Sequence, residues 1–317
     1  MAKYRDKLPQ LDGGLFLTDG GIETTLIFHD GLDLPYFAAF DLLKDQAGQA
    51  ALRRYFSSHA SIAREHDRGF ILESPTWRAS ADWGAKLGYN AADMAAVNKQ
   101  SIALLAELRR VFESDRSPMV ISGCVGPRGD GYNPGEAMTA EEAQAYHAAQ
   151  IDAFAETEAD QVTAITMTNV PEAIGVTRAA QAAGIPAVIS FTVETDGRLP
   201  SGETLKQAIE AVDAATGEGP AYFMINCAHP DHFGQALAAG ESWVRRIKGL
   251  RANASRLSHA ELDEAEELDD GNPQEFGEQH RDLRSLLGHI TVMGGCCGTD
   301  HRHIEAVCRA CMPAQAA

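Results

Sequence analysis

Three cysteines carry the strongest chemical signal in the chain: Cys227 in YFMINCAHP, and the adjacent pair Cys296 and Cys297 in ITVMGGCCGTDH. Neighbouring Cα atoms lie only about 3.8 Å apart, so the pair cannot easily bond to itself. Packing, redox chemistry and metal binding remain. A single cysteine at a strand end is more often a small apolar packing residue. Three of them, two behind Gly294 and Gly295, call for more. The glycines let the backbone turn so that both thiols face one point. Three thiolates around a soft metal leave the fourth tetrahedral position open, the layout of a catalytic rather than a structural zinc site. The pattern therefore predicts Zn2+ held by Cys227, Cys296 and Cys297, provided the fold brings two distant strand ends to one rim.

The elements that could do so are short apolar runs at Phe16–Asp19, Phe70–Ser74, Met119–Cys124, Gln161–Met167, Ala187–Val193, Ala221–Cys227, Ile247–Asn253 and Ile290–Met293. Helical, Ala-rich stretches lie between them, among them Gln46–Asp67, Ala91–Phe112, Ala140–Ala159, Glu172–Ala183 and Glu203–Ala215. Strands alternating with helices argue for parallel pairing through crossovers. Eight such units predict an α/β fold, a single-domain (β/α)8 barrel over residues 1–317, in which chemistry sits at the C-terminal strand ends. An open doubly wound sheet is the alternative. No G-x-G-x-x-G follows the first strand, which weighs against a dinucleotide-binding version.

A net charge of −18 argues against nucleic acid or an anionic membrane as partner. No apolar run is long enough to span a bilayer. The start, MAKYRDKLPQLDGG, has no apolar h-region, so a cytoplasmic location is expected. Six cysteines in 317 residues are too few for a disulfide scaffold. The acidic run ELDEAEELDD (261–270), within an insertion at about 256–285, reads as a solvated surface. Such a surface restricts self-association to local, specific contacts and leaves homo-oligomerisation open.

The sequence resembles the homocysteine S-methyltransferase family of zinc-dependent barrels. The pieces that carry the resemblance are LTDGGIETTL (17–26), SGCVGP (122–127), ISFTVETDGRLPSG (189–202), INCAHP (225–230), RANAS (251–255) and MGGCCGTDHRHI (293–304), in the family's order. The resemblance implies that Cys227, Cys296 and Cys297 are the zinc ligands and that the partners are a small thiol acceptor and a methyl donor. A metal-bound thiol is deprotonated yet nucleophilic at neutral pH. A sulfonium or ammonium donor leaves as a neutral group, so no general acid is needed. Asp19 matches the family's aspartate facing the amino-acid substrate, although an Asp before two glycines also suits a turn. Glu23 is a second candidate catalytic carboxylate, or a cap on the following helix. Trp77 is a candidate wall of the donor pocket, and Asn253 and Ser255 match the loop after the seventh strand.

The fourth strand departs from the family. Where relatives place a glutamate for the homocysteine amino group, DQVTAITMTNVPEA offers Ile165, or Met167 after a two-residue slide. Arg78 and Glu73 are also unlike the usual pattern. The expectation is a thiol acceptor, homocysteine first and giving methionine, though not necessarily homocysteine, with Glu73 able to restore the lost contact. Two other readings compete. One is a zinc hydrolase, for which Glu73 and Glu194 are the strand-end glutamates on offer. The other is a methyl-accepting subunit serving a separate corrinoid protein. Cys308 and Cys311, Cys124, and the helix-start residues His301 and His303 read as structural, and the loop 129–137 reads as a lid or an ordinary connection.

Overall fold

The computed structural model describes residues 1–131, 135–237, 240–265 and 267–312. Eight strands follow the expected order: β1 (Phe16–Leu17), β2 (Gly69–Glu73), β3 (Met119–Val125), β4 (Gln161–Met167), β5 (Ala187–Phe191), β6 (Pro220–Asn226), β7 (Ile247–Ala252) and β8 (Val292–Gly295). All neighbours pair in parallel, and β8 closes on β1 with Val292 opposite Phe16 and Met293 opposite Leu17. The fold is the (β/α)8 barrel expected from the alternation. Among the described residues no helix is long and apolar enough to cross a membrane.

Side-chain alternation builds the interior. Phe16, Ile71, Val120, Val188, Tyr222, Met224 and Val292 form one inner cluster with Leu8 of the N-terminal segment. Their strand neighbours Leu17, Phe70, Leu72, Ile121, Phe223 and Met293 belong to the larger core under the helices. The N-terminal segment closes the bottom of the barrel, where the Gln10 amide donates to Gln161 Oε1 at 2.7 Å. Carrying the same alternation upward brings Glu73, Cys124 and Asn226 to the opposite, C-terminal end, two or more residues beyond the inner cluster on their strands, and Ile165 and Arg251 stand near the same end of β4 and β7.

Crossover helices start at side-chain caps, such as Thr139 with Glu142 and Thr204 with Gln207, which satisfy otherwise orphaned N–H groups. Two end on glycines in the left-handed region, Gly184 and Gly217. The stretch 256–285 divides in two. Pro273–Leu286 is the ordinary crossover helix, and only the segment before it, with the short helix His259–Asp263, is extra.

One expectation about the glycines is corrected. Gly294 and Gly295 do not make the turn; they lie inside β8. A Cβ on Gly294 would overlap Thr18 Oγ1, and one on Gly295 would overlap Thr299 Oγ1. Their role is close approach of β8 to the β1 loop and to the loop that follows. The turns that aim the thiols come at Gly298 (φ +78°) and at Cys227 itself (φ +52°).

Candidate active site

Cys227 follows the last residue of β6, and Cys296 and Cys297 follow β8. Their sulfur atoms lie within 4.8 Å of one another, and among the described residues they are the one such convergence of three potential metal donors. Cys227 and Cys296 stand in disulfide contact, with Cα atoms 5.4 Å apart. The adjacent pair is thus not bonded to itself; its first member faces Cys227 across the rim.

The cysteines are held by groups that sequence reading did not single out. Cys227 and Thr166 both adopt positive φ, which costs a residue bearing a Cβ about 1–3 kcal/mol and persists only under outside constraint. Asn226 supplies much of that constraint. Its Oδ1 accepts from the Thr166 N–H (2.9 Å) and the Ser190 hydroxyl (2.6 Å). Its Nδ2 donates to Thr166 Oγ1 (2.8 Å) and reaches Cys296 Sγ at 3.9 Å. One buried amide therefore ties together β4, β5, β6 and the end of β8. On the far side, His259 Nε2 lies 2.7 Å from the Cys227 carbonyl oxygen and Nδ1 lies 3.0 Å from Glu194 Oε1. Replacing Asn226 by Ala is expected to weaken zinc affinity by about 10–100-fold, the usual cost of losing a group that orients metal ligands. Competition with a zinc-binding dye checks this, and unchanged affinity would remove Asn226 from the account.

The thiols open onto a cavity of about 320 Å3. Asp19, Glu23, Glu73, Trp77, Arg78, Cys124, Ile165 and Ser255 line it, together with apolar Ile22, Ile27 and Phe28. Asn253 does not line it: the residue is buried, with its backbone N–H on the Ala228 carbonyl. The acidic stretch is the solvated surface expected, with Asp263, Glu264, Glu267 and Asp269 exposed, and it also borders the cavity mouth. Leu262, Asp263, Ala265, Glu267, Leu268 and Asp269 all face the cavity. Leu262 and Leu268, both partly buried, supply the contact, which a charge count does not show. The far end of the stretch is tied down at Asp270, whose carbonyl meets His303 Nε2 at 2.8 Å and whose carboxylate meets Arg302 at 2.7 Å.

Charge inside the cavity is paired. Arg251, at the end of β7, is buried; its Nη2 donates to Asp19 Oδ1 at 2.7 Å and its Nε to the Gly295 carbonyl at 3.2 Å. Burial alone would lower the Arg251 pKa, but the Asp19 and Glu73 charges outweigh it and raise it. Tyr55 donates to Asp19 Oδ2 at 2.8 Å, so both oxygens of that carboxylate have protein partners. Arg78 stacks between Trp77 and Trp83, 4.1 and 3.8 Å from the ring centroids, and pairs with Asp130. Glu23 makes no capping bond to the helix it precedes; burial, reinforced by the Asp19 charge, raises its pKa to about 7.

Burial also raises Glu73 to about 7 against the pull of Arg251. A carboxyl whose folded pKa is raised contributes stability that is complete below the unfolded value near 4.5 and is lost as pH rises towards 7. The wild type should therefore lose about 3 kcal/mol from this group between pH 4.5 and 7, and Glu73→Gln should abolish that part of the slope. Urea unfolding of both proteins at pH 5 and pH 8 checks it; identical slopes would contradict it.

The other cysteines stay apart. Cys308 and Cys311 are buried in the core, with Cys311 Sγ 3.5 Å from Met293 Sδ. Cys124 is buried in β3 although it touches the cavity. His301 is exposed, while His303 is buried and completes the capping box of the last helix with Asp300. The loop 129–137 lies partly outside the described residues. Arg251, Tyr55, Asn226 and His259 are the site residues that sequence reading missed. For Arg251 a signal existed: a cation near the end of β7 in the inward phase, opposite to that of the strand's other cation, Lys248.

Comparison with known proteins agrees with this geometry. The family model for homocysteine S-methyltransferase matches residues 16–311. The chain is similar in fold to the homocysteine methyltransferase MmuM from Escherichia coli. Against its metallated form the identity is 19% with a TM-score of 0.73, covering 94% of this chain and 96% of that one. Against its oxidized form the values are 21% and 0.72, covering 92% and 94%. No curated protein sequence matches the chain significantly.

Proposed function

Because the chain belongs to the homocysteine S-methyltransferase family, and is thus a methyltransferase, we propose that it moves a methyl group from a small donor to a thiol acceptor, homocysteine first, giving methionine, with Zn2+ held by Cys227, Cys296 and Cys297. The observation that carries the metal reading is the convergence of three sulfur donors on one cavity wall. The donor set suits zinc: soft thiolates, and three rather than four of them, as in sites that keep a position for substrate. The metallated form of MmuM supports the same reading. A disulfide between Cys227 and Cys296 would use up two donors, so the metal-binding form is the reduced one.

Bound zinc would supply one thing, an acceptor thiol kept as thiolate at neutral pH. The chain's own residues do the rest. Ile22, Ile27, Leu262 and Leu268 give the cavity an apolar wall. Asp19, clamped by Tyr55 and Arg251, fixes the β1 loop and its negative field. Glu23 and Trp77 are the candidates for a cationic donor. The Arg78 guanidinium already covers part of the indole, which leaves Glu23 as the stronger partner. In the reaction the acceptor sulfur forms the new S–CH3 bond. The donor sulfur or nitrogen keeps the electron pair of the bond that breaks and departs neutral. Asn253 serves as support behind the wall.

The test is metal content and turnover on one sample purified in reductant without chelator, with homocysteine and, in turn, S-methylmethionine, betaine and S-adenosylmethionine. Stoichiometric zinc with methionine from one donor is expected. Zinc-loaded protein that methylates no thiol with any donor would overturn the reading.

A further inference from the structure

We propose that Arg251 and Glu73 together read the amino-acid end of the acceptor, Arg251 taking the carboxylate and Glu73 the ammonium; this rests on the site's reading as a thiol methyltransferase. The two side chains end β7 and β2 on the inner face of the barrel mouth, and both line the cavity that the thiols share. Both are buried, 6% and 5% exposed. Arg251 Nη1 and Glu73 Oε1 nevertheless have no hydrogen-bond partner. The two pair as ions, with Arg251 Nη1 and Glu73 Oε2 3.5 Å apart, but that contact leaves Nη1 and Oε1 without a hydrogen bond. Buried polar atoms without hydrogen bonds are costly and normally partnered. Here the missing partners are one acceptor for a guanidinium and one donor for a carboxylate. A zwitterion presents both on adjacent atoms.

The other carboxylate beside Arg251 is already spent. Asp19 gives one oxygen to Arg251 and the other to Tyr55. Position 165, near the end of β4, is an apolar Ile that lines the cavity and offers no charge. Arg251 is also fixed relative to the sulfur donors, because its Nε donates to the carbonyl of Gly295, the residue before Cys296. A short thiol whose far end is an α-amino acid fits this arrangement. A thiol with only an amine or only a carboxylate leaves one member of the pair unanswered. Glu73, raised to about 7 by burial, would ionise on meeting the ammonium, so acceptor binding should release a proton below pH 7.

The experiment compares three acceptors on zinc-loaded wild type, Glu73→Gln and Arg251→Lys: homocysteine, 4-mercaptobutanoate and 3-mercaptopropan-1-amine. It reads kcat/KM with the donor that supports turnover, and Kd by calorimetry. Each truncated thiol should be about 10–100-fold poorer than homocysteine on the wild type, the worth of one charge-assisted contact. Glu73→Gln should lose that factor with homocysteine and with the amine but not with mercaptobutanoate. Arg251→Lys, which loses the planar fork, should weaken homocysteine and mercaptobutanoate while sparing the amine. Equal losses across all three thiols in both variants would reduce the pair to scaffolding and overturn the proposal. So would a wild type that binds the truncated thiols as tightly as homocysteine. If no thiol is methylated at all, the methyl-transfer reading fails, and the Kd pattern still decides the pair.

Discussion

Cys297→Ser loses its zinc, falling from about one ion per chain to a small fraction of that, and thiol methylation falls at least about 1,000-fold with it. The expectation follows from donor count. Three sulfur atoms converge, and removing one leaves two, too few for a catalytic zinc site. Cys297 is the best of the three to replace because it is half-exposed and stands outside the Cys227–Cys296 contact. A serine there buries little new polarity and should leave folding intact. Cys124→Ser is the matching control: it also faces the cavity, yet it is not one of the convergent donors, so zinc should stay bound. Metal analysis and methionine formation on the two variants give the answer. A Cys297→Ser protein that keeps stoichiometric zinc would refute the ligand set.

The largest effect on stability is expected at Arg251. Among the described residues, Arg251→Met removes the one cation paired with Asp19 and Glu73, both of them buried. Breaking a buried pair by removing one partner costs about 3–5 kcal/mol, because the remaining charge has neither water nor counter-ion. Asp19 is the main victim, since Glu73 with its raised pKa can take a proton near neutrality. The double variant Arg251→Met with Asp19→Asn should therefore recover a large part of the loss, since it leaves no buried carboxylate at position 19. Urea unfolding of wild type, single and double variants tests this. A loss below about 1 kcal/mol in the single variant would mean that water reaches Asp19 freely.

The fold was legible because its units are local. Each strand is a short apolar run and each helix an amphipathic one, so periodicity and caps place them within a few residues. The metal cluster was legible for a different reason: cysteines are rare, and two strand ends of one barrel must share a rim. What stayed hidden depends on contacts between distant segments. Arg251 reads as one more cation until β1 and β2 bring Asp19 and Glu73 beside it. Asn226 reads as a strand-end amide until β4 and β5 surround it. The acidic stretch was read correctly as solvated, but its place beside the cavity was hidden, because the partly buried Leu262 and Leu268 are outvoted by the charges in any count. The glycine pair was assigned the wrong purpose for a similar reason. Sequence shows that Gly294 and Gly295 lack side chains, whereas the side chains of Thr18 and Thr299 show why they must.

The most direct test is the zinc coordination shell, measured by X-ray absorption on the reduced, zinc-loaded protein with and without homocysteine. The account predicts about three sulfur ligands and one lighter atom in the free protein, and about four sulfur ligands once the thiol is added. A shell that keeps its lighter ligand in saturating homocysteine would contradict it, because the acceptor sulfur would then not be activated at Cys227, Cys296 and Cys297.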